Sequence, residues 1–171
     1  MTRRLFWPTW LFATLTTGLV AGFMVGHALI LGRFLDWMLA RDPRVLASTY
    51  PVFAASAGRA ALTVFYAACG LQVVAALAFC ALALRARRHR LGASVAAIAA
   101  VVWPLVHYGS GFAGVEAAAL RSVTPVSTDV AMRFHALNLP VHIAHGVVLL
   151  IGLVALLTIP LVATATRTRD R

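Results

Sequence analysis

The sequence predicts an all-α integral membrane protein, a four-helix bundle built as two helical hairpins with elaborated outer loops. Three observations carry this. First, 61% of the 171 residues are hydrophobic, 12% are charged and the mean hydropathy is +0.88; a soluble domain is nearer about one quarter charged. Second, apolar stretches of spanning length recur four times. Third, the basic residues gather at the ends of those stretches instead of spreading over a polar face.

A hydrocarbon core of about 30 Å takes about 20 helical residues to cross. The first span is expected over about 10–31, the second over about 61–84, the third over about 91–108 and the fourth over about 139–163. Together they make residues 1–171 a single transmembrane domain. The first stretch is too long for a cleaved leader and has no small-x-small site after it. Leu35–Leu46 and Glu116–Leu120 look able to form short helices on the membrane surface. Tyr50-Pro51 and Thr124-Pro125 mark bends, because a residue before proline avoids the helical region. Pro104 falls inside the third span and is expected to kink it, whereas Pro140 suits the first turn of the fourth.

All 15 basic residues are Arg. Arg3 and Arg4 precede the first span, Arg85, Arg87, Arg88 and Arg90 join the second to the third, and Arg167, Arg169 and Arg171 follow the fourth. That side carries nine Arg against Asp170 alone. The other side mixes Arg33, Arg41, Arg44, Arg59, Arg121 and Arg133 with Asp36, Asp42, Glu116 and Asp129. Short basic connections stay in the cytoplasm, so both termini are expected there, with the chain a multi-pass protein of the inner (plasma) membrane. The pI near 11.6 does not indicate nucleic acid, since a binder presents its charges on a folded polar face among aromatics. The expected partners are the lipid bilayer and a lipophilic small molecule.

Gly18, Gly22 and Gly26 recur every fourth residue, a flat stripe on which another backbone can approach closely. It serves either packing within the chain or a homodimer seam. Cys69 and Cys80 lie eleven residues apart in one span. That is about 16 Å along a helix axis, far beyond disulfide reach.

Polar groups at membrane depth are costly and call for a partner or a purpose. His27, His107 and His142 each lie about one turn from the outer end of a different span. Asn138, His142 and His145 are spaced four and three apart and share one helical face, which His135 extends outward. Trp103 shares a face with His107, Arg59 and Tyr66 open the second span near the same level, and Gln72 lies deeper. A polar pocket in the outer half of the bundle is expected.

Two chemistries suit such a pocket. Imidazoles ligate copper, iron, zinc or haem iron, with His27, His107, His142 and His145 as the ligand set; the spans hold too few acids for a carboxylate-rich di-iron site. Without any cofactor, His27, His107 or His142 can deprotonate an acidic phenol or carbonyl-adjacent carbon while Asn138 or Arg59 steadies the anion. The structural alternative is that these residues simply hydrogen-bond across helices, at about 1 kcal/mol or less each. They would then serve helix packing in a non-enzymatic subunit or small transporter.

The order Gly26-His27, Asp36-Trp37, Tyr50-Pro51-Val52-Phe53, Arg59, then Arg133, Asn138 and His142 resembles the small four-helix membrane proteins of the anthrone oxygenase-like family, a domain of unknown function. The likeness runs over nearly the whole chain. Phe134 stands where that family often has Trp, and Trp103 lies inside the third span. The resemblance implies oxygen insertion into an activated polycyclic phenol, or an unassigned relative of such enzymes.

Overall fold

The structure is a computed structural model that describes residues 2–56 and 58–169, with side chains over 4–56 and 59–161. The side chains of Arg3, Arg167 and Arg169, and all of Asp170 and Arg171, lie outside the described residues. All regular structure among the described residues is helical. In chain order there are α1 (Thr2–Gly26), a π-helical turn (His27–Leu31), α2 (Gly32–Arg41), α3 (Pro43–Ala55), α4 (Gly58–Ala86), α5 (Arg90–Gly109), α6 (Phe112–Arg121) and α7 (Thr128–Arg169). Four helical stretches are long and apolar enough to cross a membrane: Arg4–Arg41, Arg59–Ala86, Arg90–Gly109 and Thr128–Leu161. Their outward faces carry large apolar side chains, Ile30 at 74% and Val74 at 62% exposed. Water opposes such a surface and lipid accepts it.

Two boundaries differ from expectation. The first helix does not stop at Leu31 but continues through the π turn to Arg41, where Asp42 breaks it at φ −148° and ψ 67°. Pro43 causes the break by excluding helical geometry from the residue before it. The Asp42 side chain then caps α3 by accepting from the Val45 N–H at 3.3 Å. At the other end of the chain α7 begins at Thr128, eleven residues before the expected start. Ser127 caps it by accepting the Val130 N–H at 3.4 Å, with Asp129 in the first turn, where a negative charge is favourable. Pro140 is therefore well inside α7. Pro51 likewise lies inside α3, so the chain stays helical through Tyr50-Pro51 where a loop was expected, whereas Thr124-Pro125 does fall in the non-helical connection between α6 and α7.

The chain forms two compact units. The first comprises residues 1–21, 68–103 and 147–171. Its core stacks Phe6, Phe79 and Leu156 among Ala13, Ala75, Ala83, Ala93 and Ala96. Alanine and glycine permit close backbone approach. A Cβ added at Gly92 would lie 2.9 Å from the Ala155 carbonyl, and one at Gly152 would lie 2.9 Å from Ala99 Cβ. The glycine stripe of α1 plays no such part: in this unit Gly18 meets only Leu153, at 3.8 Å. Polar groups are satisfied within the unit. Trp103 Nε1 donates to Gln72 Oε1 at 3.1 Å, and Gln72 Nε2 donates to Thr17 Oγ1 at 3.2 Å. Trp10 Nε1 donates to the Leu156 carbonyl at 2.9 Å. The α4–α5 turn places Arg87 and His89 at φ 55° and 49°, and burial together with Arg88 holds the His89 ring below the usual imidazole range.

The second unit comprises residues 22–67 and 104–146. Its core joins Leu35, Leu39 and Leu46 to Phe112, Val115, Leu120, Phe134 and Val141. Phe23 packs on Phe65 with centroids 3.9 Å apart. A Cβ at Gly146 would meet Val25 Cγ2 at 3.1 Å, whereas Gly22 and Gly26 have no such neighbour within 4 Å.

Candidate functional site

The second unit gathers five of the six histidines, all but His89. Asn138, His142 and His145 form one buried stripe on α7, at 1%, 5% and 0% exposure, as their spacing of four and three requires. His27 opens the π turn and is also buried. A π turn inserts one residue into the helical repeat and re-aims the side chains around it, and such insertions often lie at functional sites. Here the Gly32 N–H bonds the His27 carbonyl five residues back.

The result is a face-to-face pair. The His27 and His142 rings stack with centroids 3.7 Å apart and planes 16° from parallel. His145 lies edge-on to His142 at 5.6 Å, and His107, from the last turn of α5, lies 5.5 Å from His145. Phe112 presents its edge to His142 at 5.3 Å and packs against His107 at 5.6 Å. Imidazoles from three helical segments thus form a continuous run walled by aromatic carbon.

Hydrogen bonds fix the orientation of the pair. His142 Nδ1 lies 2.8 Å from the Asn138 carbonyl. A carbonyl only accepts, so Nδ1 carries the proton, and in the neutral ring Nε2 holds the lone pair. Asn138 Nδ2 donates to the Gly32 carbonyl at 2.9 Å, which ties α7 to the start of α2. His27 Nε2 and Asn138 Oδ1 are buried, and the Asn138 side chain faces both the His27 ring and the Asp36 carboxyl as a hydrogen-bonding partner. Gly32 makes the arrangement possible: a Cβ there would sit 3.0 Å from the His27 carbonyl, 3.1 Å from His27 Cδ2 and 3.2 Å from Asn138 Nδ2.

Glu116, on α6, approaches the other end of the run, its Oε2 lying 3.9 Å from His107 Nε2. Burial pushes the Glu116 carboxyl above the usual carboxylate range, with Arg121 opposing. Burial and Glu116 in turn raise the neighbouring Tyr50 phenol.

The expected site residues divide on this geometry. His27, His107, His142, His145 and Asn138 come together. Arg59 opens α4 with an exposed side chain, and none of the hydrogen bonds or ring contacts of the cluster among the described residues involves it. Tyr66 is exposed, and Trp103 and Gln72 belong to the hydrogen-bonded set of the first unit. The four histidines do not fit a single metal ion as they stand. An imidazole ligates through a lone pair in its own plane, and two nearly parallel planes 3.7 Å apart cannot share one ion. Among the described residues, no three His, Cys, Asp or Glu side chains are placed to hold one. The described residues therefore present no set of three or more ligands for a single copper or iron ion.

Gly32 and Phe112 escape sequence reasoning. Gly32, five residues after His27, is the one with a usable signal, since a glycine that close to a polar intramembrane residue marks a close approach. Comparison with known proteins finds no matching family model, no matching characterised protein and no matching solved structure.

Proposed function

We propose that the chain is an intramembrane oxidoreductase of oxygenase type acting on a lipophilic phenolic or quinone-like substrate. Its site is the histidine run in the outer half of the bundle. His142 Nε2 takes a proton from an acidic O–H or carbonyl-adjacent C–H, and dioxygen oxidises the electron-rich anion that forms. For an anthrone-type methylene, the CH2 becomes C=O, one oxygen atom enters the carbonyl and the other leaves as water. The four electrons lost by carbon are those gained by dioxygen.

The observation that carries this reading is the 2.8 Å hydrogen bond from His142 Nδ1 to the Asn138 carbonyl, which leaves Nε2 with the lone pair that a general base needs. The anthrone oxygenase-like resemblance supplies the substrate class. The Arg distribution supports a plasma-membrane protein with both termini in the cytoplasm.

Oxygen uptake by the detergent-purified protein with anthrone tests the reading. His142→Ala is expected to lower the rate by about 100-fold, the usual loss on removing a general base. Uptake equal in wild type and variant would remove it. A packing subunit is the second reading, favoured by the bonds that Asn138 and His142 already make to backbone carbonyls. It predicts no uptake at all.

A further inference from the structure

We propose that the first unit carries a site for an anionic phospholipid, formed where the α4–α5 turn meets the first turns of α1. The turn spans only residues 87–89 and lies among Arg85, Arg87, Arg88 and Arg90, all of them exposed. Phe6 of α1 is buried, and its ring lies 5.9 Å from the His89 ring. That contact brings the start of α1 against the turn, and the exposed Arg4 adds a fifth charge. Asp170 is the sole acid in the sequence of this unit. Among the described residues no ion pair engages any of the five arginines.

Five exposed guanidinium groups with no acid among them repel one another and attract anions. The turn is held in place. Arg87 and His89 have left-handed backbone, at φ 55° and 49°. The Arg87 and Arg88 N–H groups bond the Leu84 and Ala83 carbonyls at 3.2 and 3.0 Å, the paired bonds of a Schellman helix end. Guanidinium matches phosphate oxygens in shape as well as charge. A free phosphate would meet the charge, but the surface beneath it is apolar. Arg4, Trp7 and Leu11 are three and four apart and share one face of α1, with Trp7 44% and Leu11 48% exposed. Leu91, beside Arg90, is 80% exposed. Charge thus gives way to tryptophan and then to aliphatic surface, in the order of headgroup, interface and acyl chain along a phospholipid. The patch lies at the adjoining ends of the Arg59–Ala86 and Arg90–Gly109 spans and at the start of Arg4–Arg41. Arginine clusters at span ends are where acidic headgroups collect.

The test is native mass spectrometry of the full chain in nonionic detergent, with dioleoyl phosphatidylglycerol and dioleoyl phosphatidylcholine as probes. The two share acyl chains and differ in headgroup charge. We expect saturable binding of phosphatidylglycerol, at least about tenfold tighter than phosphatidylcholine. Arg87→Gln combined with Arg88→Gln should weaken phosphatidylglycerol by about 30-fold, the effect of two arginines at a membrane surface, and leave phosphatidylcholine unchanged. Arg87→Lys with Arg88→Lys keeps the charge and should bind within a few-fold of wild type, which separates loss of charge from loss of fold. Arg41→Gln with Arg44→Gln removes the same net charge from the second unit and should leave the affinity within a few-fold of wild type. Inorganic phosphate at the concentration of the lipid should not displace it. Equal affinity for the two lipids, or equal loss in the two glutamine variants, would overturn the site. So would undiminished binding in the Arg87→Gln and Arg88→Gln variant, loss of binding in the lysine variant, or displacement by phosphate.

Discussion

His27 and His142 stack face to face at 3.7 Å, although they lie 115 residues apart in the chain. The stack joins the π turn to α7 inside the second unit and orients the nitrogen assigned as base. Ring contacts contribute about 0.5–1.5 kcal/mol beyond burial, and polar pairs within membranes average about 0.6 kcal/mol. A double-mutant cycle of His27→Ala and His142→Ala, read from unfolding in detergent, is expected to give a coupling in that range. Additive effects would show that the stack is mere juxtaposition.

Gly32 is the residue on which the pair depends. A methyl group there must displace the His27 ring or the Asn138 amide, since it would stand 3.1 and 3.2 Å from them. Gly32→Ala is expected to destabilise by about 1–3 kcal/mol, as overpacking does, and to depress anthrone-dependent oxygen uptake. Gly22→Ala meets no neighbour within 4 Å and gains the better helix propensity of alanine, about 1 kcal/mol. Thermal unfolding of the two variants should therefore move in opposite directions.

The four spans were legible because hydropathy and charge both mark them, and the α7 stripe was legible because Asn138, His142 and His145 repeat at helical spacing. The π turn was not, since a one-residue insertion at His27 leaves no periodic trace. The early start of α7 was masked by Pro140, which mimics a first-turn proline, although Ser127 and Asp129 carried the true capping signal. Arg59 was placed near the histidines by level alone; level along a helix does not decide which way a side chain faces. The glycines with close neighbours are Gly32, Gly92, Gly146 and Gly152, none of them in the conspicuous stripe. Contact depends on what lies opposite, which one helix cannot reveal.

Gln72 links Trp103 to Thr17 within the first unit, accepting from one and donating to the other. Replacing it with leucine of similar volume leaves the Trp103 N–H without this acceptor. A lost intramolecular hydrogen bond costs about 0.5–1.5 kcal/mol. Gln72→Leu is expected to lower stability by that amount, whereas Thr17→Val, which removes only the outer member, should cost less. Chemical denaturation of both variants in the same detergent measures the difference.

Glu116 makes stability depend on pH with a definite sign. Burial raises its carboxyl above the ordinary carboxylate range, more than Arg121 offsets, so the folded protein holds the proton longer than the unfolded chain. Stability tied to this group is fully present below the ordinary carboxylate range and is lost as pH rises through the raised value. His107 opposes the trend whenever it is charged, through the 3.9 Å contact, while Tyr50 adds no charge until alkaline pH. Glu116→Gln removes the ionisation and keeps the shape. Unfolding midpoints of wild type and Glu116→Gln should agree near about pH 4, and the variant should be the more stable near about pH 8. A wild type that is the more stable at about pH 8 would show that attraction to His107 outweighs the cost of burying the carboxylate.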